Sequence, residues 1–313
     1  MVIKKCARAE YKETLLLLNE AFGTEANWFE NNETMCTPYE ELATDELIAR
    51  HFIAVEHGAV IGCVGAYPRE AVLGGGATVK GFGVGQVCCR ESERGRGVMR
   101  ALMEAAAADA VENGAVMGYL WGHMPRYRHF GYEAAGECAA FSGIVIRRLR
   151  PSVNPETRSV RPARPEDTPM LGSMYSRFQA YITRDGEYWE KLLGLKRFEC
   201  YVLSGAGGNA YLFANAENKH IVELQGDADA ALGLLVGYAD ITGRERLDVT
   251  YPFIRNGGDA LFEKLTKISN WYTIGPSALA AVYGDSPEAA YARETLWVYG
   301  ARRAFWVPDV DKV

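Results

Sequence analysis

The sequence predicts an α/β protein assembled from two copies of one fold, each a twisted mixed β-sheet flanked by helices. Three observations predict it. A strand, a basic glycine loop, a helix and another strand follow one another over residues 79–121, an order that joins parallel strands through a crossover. Five prolines (Pro151, Pro155, Pro162, Pro165, Pro169) crowd residues 150–169, in a polar stretch unsuited to a helix interior or a central strand. Ala7-Arg8-Ala9-Glu10, then Leu15 and Phe22, recur as Ala163-Arg164-Pro165-Glu166, then Leu171 and Phe178, at one constant spacing of 156 residues. At 313 residues, 48% hydrophobic and 24% charged, the chain has ordinary globular composition and exceeds one typical domain. The division expected is a first copy over residues 1–149, a Pro-rich linker over 150–169, and a second copy with a C-terminal tail over 160–313.

Each copy opens as a short strand, a polar turn and a helix whose apolar face is expected to carry the Leu and the Phe. In the first copy, residues 52–66 alternate as strand, turn, strand around His57-Gly58, and Gly74-Gly75-Gly76 marks a further turn. Residues 79–89 read as the next strand. Over residues 98–113, Met99, Leu102, Met103, Ala106 and Ala110 fall on one helical face, and Gly114 closes the helix. Residues 115–121 are an apolar run of strand length.

Thirty-four Lys and Arg stand against 40 acids, a net charge of −6 that argues against nucleic-acid or membrane partners. No apolar run is long enough to span a bilayer, and the start Met1-Val2-Ile3-Lys4-Lys5-Cys6 lacks the apolar core of a signal peptide, so a cytoplasmic protein is expected. Seven scattered cysteines without a C-x-x-C pair or a His at ligand spacing point to neither a disulfide framework nor a metal site.

The chemistry concentrates in Arg90-Glu91-Ser92-Glu93-Arg94-Gly95-Arg96-Gly97-Val98. Two glycines allow the backbone to turn its N–H groups inward, and the helix beginning there adds the positive end of its dipole. Arg94, Arg96 and Arg100 supply charge where a pyrophosphate would sit. No Gly-Lys-Ser or Gly-Lys-Thr of a P-loop is present, and Gly81-Phe82-Gly83-Val84-Gly85 has neither the spacing nor the place of a dinucleotide fingerprint. A solvated Arg-Gly turn is the competing account of the loop.

The stretch from Val87 to Met103 resembles the R-x-x-G-x-[GA] pyrophosphate loop of the GNAT acyl-CoA transferases, and in particular the tandem-GNAT branch related to the enhanced intracellular survival acetyltransferases. Met99 departs from the small residue usual there. Tyr127-Arg128-His129-Phe130-Gly131-Tyr132 resembles the Y-x-x-F-G-[FY] segment of the same family. The resemblance implies two tandem GNAT-like domains and acetyl-CoA as cosubstrate. It implies Arg94, Gly95, Arg96, Gly97, Val98 and Arg100 around the pyrophosphate, backbone donors on the strand of Val87, Cys88 and Cys89, and Tyr127 as the acid that protonates the leaving thiolate. A phenol suits that step because it stays neutral beforehand. An aromatic stacked in an Arg-rich surface turn is the alternative for Tyr127. Cys88 and Cys89 alternate across the strand, so one is expected in the core, and direct transfer needs neither as a nucleophile.

Between Phe22 and Ala49 lie seven acids (Glu25, Glu30, Glu33, Glu40, Glu41, Asp45, Glu46) and no Lys or Arg. The resemblance places this region beside the acceptor, where it would attract a cationic amine of a small molecule or peptide; a solvated helix face is equally expected. Longer relatives carry a sterol-carrier-like domain whose terminal carboxylate serves as base. The sequence ending at Val313 is expected to lack it, leaving Glu25 or the Val313 carboxylate as substitutes. The spacing of 156 sends the first loop to Arg255-Asn256-Gly257-Gly258-Asp259-Ala260 and Tyr127 to Tyr283. A degenerate second copy is expected because Asp259 would cap that helix and oppose a phosphate, and Pro252 would interrupt the strand before it. That copy would then wall the cleft or build a homo-oligomer interface. Two rival readings remain: an active second half, as in mycothiol-synthase-like tandem proteins, and a non-catalytic acyl-CoA-binding module.

Overall fold

The computed structural model describes residues 1–22, 43–74, 76–153, 160–205, 207–252, 259–269, 271–298 and 301–302. The first half runs β1 (Val2–Lys5), α1 (Arg8–Phe22), α2 (Asp45–Ile48), β2 (His51–Glu56), β3 (Ala59–Val72), β4 (Thr78–Cys89), α3 (Val98–Glu112), β5 (Met117–Leu120), α4 (Met124–Tyr127), β6 (Glu133–Val145) and α5 (Ile146–Leu149). His57 and Gly58, both at positive φ, make the tight turn between β2 and β3 that their sequence anticipates. Gly114 lies at φ +87 just beyond α3 and ends it as expected.

The second half runs β7 (Val160–Pro162), α6 (Thr168–Tyr175), β8 (Tyr181–Ile182), α7 (Gly186–Gly194), β9 (Phe198–Gly205), β10 (Gly208–Asn215), β11 (Ile221–Gly226), α8 (Ala228–Thr242), β12 (Arg246–Pro252), α9 (Ala260–Ile268), β13 (Trp271–Val282) and α10 (Pro287–Leu296). Two of the linker's prolines fall where proline costs least: Pro162 ends β7, which pairs only with β9 at the sheet's margin, and Pro169 sits in the first turn of α6.

One mixed sheet carries both halves, in the order β1-β2-β3-β4-β5-β13-β6-β12-β11-β10-β9-β7, with β8 paired to β3. The expected boundary is therefore crossed by hydrogen bonds: β13 lies between β5 and β6, antiparallel to both. Helices cover the two faces. Val98, Leu102, Met103 and Ala106 of α3 pack on Phe52, Val64, Phe82 and Val84. Leu15, Leu17 and Leu18 of α1 pack on Ile53, Val60 and Cys63, which alternate to the other face. Leu15 is buried as expected, but Phe22 at the end of α1 is 44% exposed, and Phe178 is buried beyond the end of α6 rather than on it.

The constant spacing of 156 residues does not persist. The second parallel crossover is β11, α8, β12, with Ile221 opposite Val249. From Val98 to Ala228, the first residues of α3 and α8, the spacing is 130. The counterpart of the first loop is thus Gly226-Asp227, not Arg255 to Ala260. Asp259 does cap α9, accepting from Leu261 and Phe262 N–H at 2.9 Å each. Pro252 does not interrupt β12; it is the last residue of that strand and pairs with Cys138.

The second half is organised around a buried ion pair. Arg184 meets Glu223 through two hydrogen bonds of 2.9 and 2.7 Å, both side chains fully buried, while Tyr211 donates to the same carboxylate at 2.7 Å. The guanidinium also lies over the rings of Tyr175 (3.9 Å) and Trp189 (4.7 Å). Arg184→Met is expected to destabilise the protein by about 3–5 kcal/mol, because Glu223 would remain buried without its counter-ion; urea unfolding measures the loss.

Candidate functional site

Strands β4 and β5 pair over three residues only, Gly81 with Met117, Phe82 with Gly118 and Gly83 with Tyr119. Beyond Gly83, β4 continues to Cys89 on β3 alone, while β5 is held on its other side by β13 through residues 279–282. Beyond Gly83 no ladder joins the two strands, and this cleft in the pairing leads along β4 toward residues 90–97.

A bulge shapes the β4 wall. Cys88 opposes Cys63 and Gly85 opposes Gly65, so Gln86 and Val87 together face Val64, and Gln86 takes φ +50. Tyr67 holds the bulge by donating from its hydroxyl to Gln86 Oε1 at 2.6 Å, and the same hydroxyl lies 3.1 Å from His51 Nε2. His51 is fully buried, its pKa lowered to about 4 by desolvation, and its Nδ1 lies 3.2 Å from the Ile48 carbonyl. Sequence reasoning missed Gln86, although alternating glycines at 81, 83 and 85 are a signal for a bulge. Past the bulge, Arg90 N–H donates to Ile61 O across β3 at 2.9 Å. Strand alternation from Arg90 turns the N–H groups of Val87 and Cys89 away from β3.

The loop takes the shape its glycines predict. Gly95 and Gly97 lie at φ +81 and +80, where a side chain would be strained. No side chain caps α3, and its first turn carries no acid. Its N-terminal N–H groups and the positive end of its dipole are therefore left for an anion. The Val98 side chain turns inward beside Gly62, where an added Cβ would lie 2.7 Å from Val98 Cγ1. Arg94 and Arg100 are exposed. Arg96 behaves differently from the free phosphate ligand its sequence suggests: its guanidinium is bidentate on Glu56, at 2.8 and 3.1 Å, and also pairs with Glu93. This contact, above all, holds the Glu56 carboxyl well below its ordinary range and ties the loop to the end of β2.

Tyr127 lies on the α3 side of the sheet, 7% exposed, with burial raising its pKa. Its ring fills the space above Gly122, where an added Cβ would approach Cε2 to 2.6 Å. It meets Tyr132 edge-on at 6.3 Å. Tyr132 is fully buried and accepts a hydrogen bond from Tyr283 at 3.2 Å. Tyr283 is thus no second-half counterpart of Tyr127; it follows β13 into the first half's core and packs on Phe82.

Cys88 and Cys89 do separate to opposite faces, Cys88 against the α1 cluster and Cys89 against the α3 cluster. Of the acidic stretch, Asp45 and Glu46 are exposed and pair with Arg8 and Arg50 at the surface. Glu25, the other acids between Glu30 and Glu41, and Val313 lie outside the described residues. At the second-half counterpart of the loop, Asp227 precedes α8, receives Asn209 N–H at 2.9 Å, and is followed by Asp229 in the first turn. Beside Gly226, two carboxylates stand there in place of the first loop's arginines, Asp227 meeting Arg177 at 3.4 Å and Asp229 pairing with Lys264.

Residues 2–135 match the family of acetyltransferase (GNAT) domains. No curated protein matches the chain. Three solved structures share its fold, each over 90% of this chain. They are a probable N-acyltransferase from Enterococcus faecalis (TM-score 0.69, 17% identity, 72% of that chain), a GCN5-related N-acetyltransferase from Kribbella flavida (0.68, 17%, 71%) and Eis1 from Mycobacterium abscessus (0.63, 19%, 74%).

Burial drives the Cys88 thiol up to about 12, so it stays protonated in neutral solution. Iodoacetamide at pH 8 is expected to leave Cys88 unmodified in the folded protein and to alkylate it after denaturation, as mass spectrometry of the cysteine peptides would show.

Proposed function

We propose that this chain, a member of the GNAT acyltransferase family through residues 2–135, transfers the acetyl group of acetyl-CoA directly to a primary amine of a small molecule or peptide. The observation that supports this reading most is the divergence of β4 from β5 beside an uncapped helix start and two left-handed glycines. A narrow acyl-pantetheine arm fits between the strands while its diphosphate meets the amides of residues 94–98. Arg94, which meets Glu91 at 3.2 Å, and Arg100 add exposed charge, and Arg96 braces the loop through Glu56.

In this reading Val87 and Cys89 N–H groups hold the arm and its thioester carbonyl, whose oxygen gains charge as the amine attacks. The N–C bond forms and the C–S bond breaks. Tyr127 gives its phenolic proton to the departing sulfur and is restored from solvent. The amine sheds its proton to water or to a carboxylate, for which Glu25 is the candidate from the sequence. Two acids at the start of α8 disfavour a pyrophosphate in the second half, which weighs against the reading in which that half is active.

Tyr127→Phe is expected to lower turnover at least about tenfold while leaving coenzyme A affinity by calorimetry within about twofold. Unchanged turnover would remove Tyr127 from this role, whereas coenzyme A binding without any turnover in the wild type would favour a module that binds acyl-CoA and does not transfer it. Because the acid must be protonated and burial raises its pKa above 10, the alkaline loss of turnover assigned to it is expected only above pH 10. A pH–rate profile of wild type against Tyr127→Phe measures that limb.

A further inference from the structure

An open surface cavity of about 370 Å³ lies where the two halves meet, lined by the half-exposed Trp121 from the first and by Arg197, Phe198, Asn215, Asn218 and His220 from the second. Its position relates it to the cleft. Trp121 directly follows β5 and precedes Gly122, the residue against which Tyr127 packs. Leu120 faces the α3 cluster and Tyr119 the opposite one, so continued alternation carries Trp121 to the face away from α3. A cosubstrate whose diphosphate rests at the start of α3 leaves that opposite face for the acceptor.

The polar groups around this cavity are mostly donors. Arg197 is exposed and lies over the Phe198 ring at 4.6 Å. Among the described residues it has no carboxylate partner, unlike Lys219 close by in sequence, which pairs with Glu199 at 3.0 Å. Asn215 Oδ1 accepts from the N–H groups of Glu217 and Asn218, and Asn218 Oδ1 accepts from His220 N–H. Both amide oxygens are consumed by the turn, so each side chain keeps its NH₂ as a donor. One guanidinium and two amide NH₂ groups beside two aromatic rings match a carboxylate on an apolar body.

We propose that this cavity is the acceptor site and that the acceptor is an amine that also carries a carboxylate, bound through Arg197. The proposal rests on the transfer reading above and narrows its acceptor class; it replaces attraction of a plain cation by recognition of an anionic group next to the amine. Arg197 acts as a specificity-determining residue and takes no part in the bond changes.

L-Phenylalanine and phenethylamine differ by the carboxylate alone, which makes them the probes. Thiol release from acetyl-CoA by wild type is expected to show a KM for phenylalanine at least about tenfold below that for phenethylamine, the scale of one charge-assisted hydrogen bond. Arg197→Gln should abolish that difference while leaving the KM for acetyl-CoA and the thermal midpoint unchanged. Calorimetry of phenylalanine with wild type and Arg197→Gln reads the same site without turnover. Equal affinity for both probes, or a phenylalanine KM indifferent to Arg197→Gln, overturns the proposal. A raised KM for acetyl-CoA in the variant also overturns it and assigns the guanidinium to a cosubstrate phosphate. Arg197-dependent binding of phenylalanine without thiol release would instead defeat the transfer reading and leave the carboxylate site standing.

Discussion

The site depends on β5 being held from both sides by unequal partners. Three residue pairs join it to β4, whereas β13 pairs with all four of its residues and continues along β6. Backbone hydrogen bonds to β13 keep β5 from following β4 past Gly83. The cleft is therefore a consequence of strand pairing supplied from a distant part of the sequence. The second half enters the site first as a structural clamp.

Around that cleft, local devices act at short range. The Gln86 bulge redirects the β4 backbone, and its cost at positive φ is offset by the buried hydrogen bonds from Tyr67 and the packing of His51. The loop before α3 is shaped by Gly95 and Gly97 and braced by Arg96 on Glu56. An arginine that looks like a ligand in the sequence is here a strut. Glu56 and Glu93 offset the Arg96 charge, Arg94 meets Glu91 at 3.2 Å, and Arg100 stands exposed in the first turn of α3.

The two halves repeat the order strand, helix, meander, parallel crossover, yet diverge where chemistry would require agreement. Asp227 and Asp229 stand at the start of α8, and a buried Arg184–Glu223 pair organises the neighbouring core. Such a pair fixes one arrangement of side chains, because neither charge tolerates losing the other. That half supplies β13, which clamps β5, and Tyr283, which packs in the first half's core.

What the sequence by itself determined is local: the turn at His57-Gly58, the strand over β4, the helix from Val98 with its glycine stop, and the glycine turns at 95 and 97 that precede it. Each follows from residue type and period over fewer than about twenty positions. Tertiary structure alone decided the insertion of β13 between β5 and β6, the bulge at Gln86, the tethering of Arg96 and the place of Tyr283. The repeat spacing misled beyond the first helix, because insertions and deletions between elements change numbering without changing topology. Strand order and ion-pair choice depend on contacts between distant residues, 165 positions apart for Met117 and Val282, and no local pattern records which distant edge or carboxylate a group will meet.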